Sequence, residues 1–278
     1  MSKKIVALHA IVSLFISSVP VFAAPPVFVS ATVVPSGRSV VIPQTAVQVA
    51  ENVFDLGTAV DPASGERVQG LAIVHYQKGA AKPTVAGSKG KTTCYKFLAR
   101  GAKWRTVEPW VVNPANDRGL GGEVVLTTLA GGIGKWEDAA DGIVGDGAGV
   151  NILGNGNTTP ATLTADTSAP DGQNEVYFAD IADTNAIAVT IVWYTLVTKT
   201  LVEWDQVYDH VTYDWSASGE AGKMDFDNIA THELGHSIGL GDLYNSCTEE
   251  TMYGYADFGE TKKRDLNAGD IAGANALY

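Results

Sequence analysis

The sequence predicts an α+β domain. One observation is a run at mostly helical spacing, Val124, Leu126, Leu129, Ile133, Trp136 and Ala140, which marks a helix with internal glycines. A second is a pair of stretches rich in β-branched and aromatic residues, "NEVYFADI" and "AIAVTIVWYTLVTKTLVEWDQVYD", which mark strands. The third is a pair of closing helical stretches, "DNIATHELGHSIGL" and "LNAGDIAGANALY". The composition agrees: 278 residues, 45% hydrophobic and 18% charged, with 30 glycines, is turn-rich and too apolar to be disordered. The length suits one large domain, or one domain with a small addition.

Taken in order, the chain opens with Lys3 and Lys4, an apolar run from Ile5 to Ile16, and then Ser17, Ser18, Pro20, Ala23 and Ala24. This is the pattern of a secretory signal peptide over residues 1–23, and the run is short for a membrane span of about 20 residues. Residues 24–90 alternate short apolar runs with Pro, Gly and Ser, and read as a propeptide or accessory N-terminal region. The alternative is that part of them forms the first strands of the main domain. Within them Leu71–Gln77 reads as a strand, and "GAAKPTVAGSKGKTT" as a linker. The main domain is expected over 91–278. It begins with a strand around Glu108–Val112, passes through the helix of Val124–Ala140 and enters a glycine-rich loop, "GIVGDGAGVNILGNGNTTP". After the strands, Asp227 or Asn228 is placed to cap the next helix. The last helix is expected to bury Leu266, Ile271, Ala274 and Leu277.

Acidic residues outnumber basic ones 31 to 19, for a net charge of −12. That balance argues against nucleic acid and anionic membranes as partners, and acidic clusters suit calcium. No segment after the signal reads as transmembrane, and the mature chain is expected to be a secreted monomer. Cys94 and Cys247 are an even pair in an exported chain, which suggests a disulfide. A free Cys94 capping a metal is the alternative. "GSKGKTT" fails as a phosphate loop, because Val85 stands where the pattern needs glycine. Asp146, Glu203, Asp205 and Asp209 are calcium candidates without a convincing loop.

The chemistry concentrates in "THELGHSIGLGD", Thr231–Asp242. On a helix, His232 and His236 lie one turn apart on the same face and can point at one ion. Glu233 projects beside that line, which suits a base better than a ligand. Gly239 is a natural helix terminator, and a reversal there brings Asp242 back as the third ligand. The competing third ligands are His75, His210, Glu249 and Glu250, none with a local spacing argument.

"HELGHSIGLGD" resembles the zinc signature of the metzincin metallopeptidases, with Asp242 in the place of their last histidine. "ETMYGY" resembles the Met-turn of the matrixin branch, and "DLNAGDIAGANALY" resembles its closing helix. The resemblance implies a metzincin-like catalytic domain: a twisted, mostly parallel sheet with an antiparallel edge strand, an active-site helix and a C-terminal helix. It implies Zn2+ held by His232, His236 and Asp242, with Met252 beneath. Glu233 is then the general base of a secreted endopeptidase acting on protein or peptide substrates, with Ca2+ as a structural ion. Tyr253 or Tyr255 would stabilise an oxyanion or line the substrate pocket. Ile187–Val197 is the expected edge strand on which a peptide lies. The propeptide motif that carries the switch cysteine of animal matrixins is absent around Cys94, which favours the disulfide. The alternative is a non-catalytic, zinc-stabilised secreted binding module, which would have a closed four-ligand site. A third reading, an Asp-ligand peptidase of the deuterolysin type, is opposed by Gly239 and Met252.

Overall fold

Continuous apolar runs within Arg67–Gln77, Asn174–Ala179 and Ala186–Thr195 dictate where the strands lie, and hence the sheet that organises the molecule. The computed structural model describes residues 36–79 and 93–278, so the signal segment and nearly all of the linker lie outside the described residues. Strands β1 (Val47–Ala50), β2 (Val53–Val60) and β3 (Arg67–Gln77) form an antiparallel meander. Strand β4 (Trp110–Asn113) leads into helix α1 (Gly122–Ala139), after which come β5 (Gly156–Thr158), β6 (Asn174–Ala179), and the hairpin of β7 (Ala186–Thr195) with β8 (Leu201–Asp209). A short parallel pair, β9 (Trp215–Ser216) and β10 (Met224–Asp225), precedes helix α2 (Phe226–Ser237). Strand β11 (Tyr255–Ala256) and helix α3 (Ala268–Leu277) complete the chain.

The main sheet runs β1-β2-β3-β7-β8-β6-β4-β5, with β11 joined to β3. From β5 to β8 the pairings are parallel, and β7 is antiparallel to β8. This part matches the sheet expected from the sequence. One element of the expectation fails: β7 is not an edge. Its outer side is paired with β3 from Val68↔Thr195 to Tyr76↔Ala186. The two prolines of residues 24–90 that lie among the described residues, Pro43 and Pro62, stand outside the strands themselves. Pro43 precedes β1, and Pro62 sits in the β2–β3 turn, where the Asp61 side chain accepts from the N–H groups of Ala63 and Ser64. The meander can therefore extend the central sheet.

Both faces of the sheet are covered, which explains why β6 and β7 are buried throughout. On one face Ile73, Val176, Phe178, Ile187 and Trp204 meet Leu129, Trp136, Phe226, Ile229 and Leu234 of α1 and α2. On the other, Val68, Val74, Tyr177, Val189 and Trp193 pack with Val40, Leu163 and Ile181. Helix α1 buries Val125, Leu129, Ile133, Trp136 and Ala139, whereas Val124 is exposed, so the apolar stripe starts one residue later than expected. In α3, Ala274 and Leu277 are buried as expected; Leu266 and Ile271 are only partly covered. Cys94 and Cys247 form a disulfide that ties the start of the 93–278 segment to the loop after Asp242.

Candidate metal centre and active site

Helix α2 begins at Asp225, whose side chain accepts from the Asn228 N–H; this is the N-cap, two or three residues before the positions expected. Arg264 holds the same carboxylate through Nε at 2.8 Å, so the helix start is fixed from two directions. The Trp136 indole N–H donates to the Thr231 carbonyl at 2.8 Å and locks α1 against the middle of α2. Gly235 is required at this level: a Cβ there would lie 2.2 Å from Met252 Sδ and 2.8 Å from the Trp136 ring. Gly239 then turns the chain with φ of 107°, and a Cβ there would stand 2.3 Å from the Ala102 carbonyl oxygen.

The reversal brings Asp242 to the two imidazoles. His232 Nε2 and His236 Nε2 lie 3.1 Å and 3.3 Å from Asp242 Oδ1. All three atoms are buried, and none has a hydrogen-bond partner. Donors at about 2.0–2.2 Å from a tetrahedral ion stand roughly 3.3 Å apart, so this spacing fits a zinc ion. The opposite ring nitrogens are committed elsewhere. His232 Nδ1 faces the Thr251 carbonyl at 2.6 Å, and His236 Nδ1 faces the Leu240 carbonyl at 2.9 Å. Donation to those carbonyls places the proton on Nδ1 and leaves each Nε2 lone pair free. Asp242 Oδ2 accepts from the Tyr244 hydroxyl at 2.9 Å.

The Thr251–Met252 turn is itself fixed by α3. Asp270 accepts from the N–H groups of Thr251 and Met252, and also closes a capping box with Asn267. Glu250 accepts from Gly269 and Asp270, so its role is to anchor the helix start. Met252 is buried against Gly235 of helix α2.

Glu233 is fully buried beside the three donors. One of its oxygens meets His75 Nδ1 at 2.8 Å, and the other accepts from Thr190 Oγ1 at 2.5 Å. Burial pushes its carboxyl up to about 7. The His75 ring also stacks on His232, with centroids 4.0 Å apart. His75 Nε2 is 3.2 Å from Lys263 Nζ, which donates to the carbonyls of Tyr253 and Tyr255 as well. Burial lowers Lys263 to about 8, and His75 is held low by burial and then by the neighbouring His232 and Lys263. With Lys263 donating to Nε2, the His75 proton sits on Nδ1 and points at Glu233.

Of the sequence candidates, His232, His236, Asp242 and Glu233 come together. His75 arrives as a partner of Glu233, outside the three-donor cluster, while His210 lies 3.4 Å from Asp117 and Glu249 is exposed. Tyr255 donates to Glu51 at 2.6 Å. Residues 172–278, from just before β6 to the end of α3, match the Matrixin family model. Over that stretch the chain resembles the matrixin-like zinc metallopeptidases. No curated protein matches it. Thr190, Lys263 and Tyr244 were not legible as site residues. Only Tyr244, two residues past Asp242, carried any positional signal. Within the matched segment the main sheet runs β7-β8-β6, so β7 stands at one of its two edges, and the strand that covers it, β3, comes from outside the match.

A second acidic cluster lies at the far end of β8. Asp166, Asp171 and Glu203 present carboxylate oxygens within 4.8 Å of one another. Glu203 is buried, accepts from the Gly172 N–H, and leaves Oε1 without a donor. Burial pushes Glu203 up to about 9 and Asp166 up to about 6. The other calcium candidates have structural tasks. Asp205 accepts from the N–H groups of Asp166 and Glu175, Asp209 from those of Ile181, Val211 and Thr212, and Asp146 from that of Ala148.

Proposed function

We propose that this chain is a secreted endopeptidase that hydrolyses peptide bonds of proteins, with zinc held by His232, His236 and Asp242 and with Glu233 as general base. The observation that carries the reading is the meeting of three buried, hydrogen-bond-free donor atoms beside a carboxylate that is not one of them. A zinc ion bound there would supply Lewis acidity, polarising the substrate carbonyl and making water more acidic. Glu233 takes the proton of the attacking water on a carboxylate oxygen and returns it to the leaving amine. Its carboxyl, raised to about 7, is suited to exchanging protons near neutral pH. Thr190 fixes one of its oxygens, and the other, which faces His75 Nδ1, would take the proton. Asp166, Asp171 and Glu203 would hold a structural calcium ion, whose charge offsets their mutual repulsion. Export rests on the N-terminal signal pattern. Among the described residues no helix is long and apolar enough to cross a membrane.

The burial of the whole site favours a second reading, a zinc-stabilised binding module: His232, Glu233 and His236 have no exposed surface. Digestion of a quenched peptide library separates the two. The peptidase cuts, stops cutting with chelator, recovers with zinc, and loses cutting in Glu233→Ala with zinc still bound. A zinc-loaded chain that binds peptides and never cuts them, in any processed form, is the binding module.

A further inference from the structure

We propose that Lys263 is the internal counter-ion of the metal centre: its buried ammonium balances Asp242 and Glu233 while no metal is bound and opposes an arriving zinc ion, which sets how tightly zinc is held. The inference rests on the metal-centre reading, and it holds whether the chain cuts peptides or only binds them. Three basic residues, Lys262, Lys263 and Arg264, follow one another in a single 3₁₀ turn, so their side chains leave in three directions. Lys262 reaches the Thr248 carbonyl and Glu249 near the surface, and Arg264 holds Asp225 at the start of α2. Lys263 turns inward and is 0% exposed. The Asn228 side chain accepts from the Lys263 backbone N–H at 2.8 Å. Asn228 lies one helical turn before His232, so this bond sets the lysine beside the site.

The surroundings make this charge costly. The ammonium donates to the Tyr253 and Tyr255 carbonyls and to His75 Nε2, which uses all three of its N–H bonds. None of these acceptors is charged, and among the described residues no carboxylate stands at ion-pair distance from it. An ammonium taken out of water without a paired carboxylate is expensive, and a methionine of similar shape would fill the space without that cost. The offset comes from acids farther off. Burial lowers Lys263 to about 8, while Glu260, Asp242 and Glu233 pull the other way, so it keeps its proton at pH 7. Two of those acids belong to the site, and neither can turn to the lysine. Asp242 faces both imidazoles and Tyr244, and Glu233 is held by His75 and Thr190. His75 stands between, with Nε2 toward Lys263 and Nδ1 toward Glu233. A zinc ion among His232, His236 and Asp242 would bring two positive charges into the same buried region, where repulsion is weakly screened. The ammonium therefore subtracts from zinc affinity.

The test is the zinc affinity of the full chain at pH 7, read by competition with a chelating dye, with zinc stoichiometry checked by elemental analysis. Lys263→Met removes the charge and keeps the volume. Lys263→Gln removes the charge and keeps N–H donors for the carbonyls. Lys262→Met changes the net charge of the chain equally but near the surface, and serves as the control. The expected result is zinc held about tenfold tighter or more in both Lys263 variants, with less than about a twofold change in Lys262→Met. A lysine that only braces the turn would give the opposite sign, because losing its bonds to Tyr253 and Tyr255 loosens the chain beside the site and weakens zinc. Unchanged or weaker zinc binding in either folded Lys263 variant overturns the proposal, and so does tightening of equal size in Lys262→Met. If one Lys263 variant does not fold, the other decides; if neither folds, the lysine is a brace and the proposal fails. A chain that takes up no zinc in any form defeats the metal-centre reading itself, a result distinct from zinc that binds without regard to Lys263.

Discussion

The meander β1–β3 and the segment from Gly172 to Tyr278 share one sheet but meet the site in different ways. The later segment supplies every donor of the three-atom cluster and the carboxylate beside it. Each of those side chains is fixed by neighbours within the same segment: Thr251 and Leu240 orient the imidazoles, Tyr244 the aspartate, and Thr190 the glutamate. The meander contributes no member of the cluster. It contributes His75, Asn52 and Glu51, which all end on groups that the later segment has already positioned. A site assembled by one part of the chain and closed by another can be separated experimentally.

The largest contrast is expected between Asp242→Ala and His75→Ala. The first removes one of three donors and should cost more than about 100-fold in zinc affinity, since loss of a mere supporting group already costs about 10–100-fold. His75→Ala should leave zinc stoichiometry at one per chain by elemental analysis. Equal zinc loss in both variants would mean that the meander is part of the metal centre, and the comparison would break. Tyr244→Phe sits between the two parts. It removes the donor to Asp242 and should weaken zinc by about 10–100-fold by competition with a chelating dye. Unchanged affinity would show that the aspartate is held without it.

Next come effects on folding. Reducing the Cys94–Cys247 disulfide should destabilise the chain by about 2–5 kcal/mol in urea unfolding, because it closes a loop with a sequence separation of 153. Gly235→Ala forces a methyl against Met252 and Trp136 and should cost about 1–3 kcal/mol, seen as a lower Tm. Unchanged stability in either experiment would detach that contact from the support of the later segment.

How much of this was readable from the sequence follows the same division. The imidazole pair, the glutamate, the glycine reversal and Asp242 are local along the chain, within twelve residues, so spacing was enough to assemble them. The strands β6, β7 and β8 announced themselves through β-branched residues. What spacing could not supply was non-local. His75 and Glu233 are 158 positions apart, and Lys263 and His75 are 188 apart. Pairing of β3 with β7 depends on register between distant segments, which leaves no mark in either segment alone. The cap moved to Asp225 because Arg264, from a distant turn, selects it. Burial of both sheet faces removed the alternation that would have separated interior strands from edge strands.

The smallest expected effect concerns the acidic cluster. Raised carboxyls favour the folded state when protonated, so their contribution is complete below the unfolded range and is lost as pH climbs through the folded values. With Asp166 at about 6 and Glu203 at about 9, the Tm of cation-free protein should fall between pH 5 and pH 9. Calcium should raise Tm more at pH 8 than at pH 5. A calcium effect independent of pH would place the ion elsewhere.

The most direct measurement is X-ray absorption at the zinc edge on the loaded full chain, beside Asp242→Ala. The account predicts two imidazole nitrogens and a carboxylate oxygen at about 2.0–2.2 Å, with the carboxylate contribution lost in the variant. A zinc shell without imidazole, or one unchanged by the substitution, would contradict it.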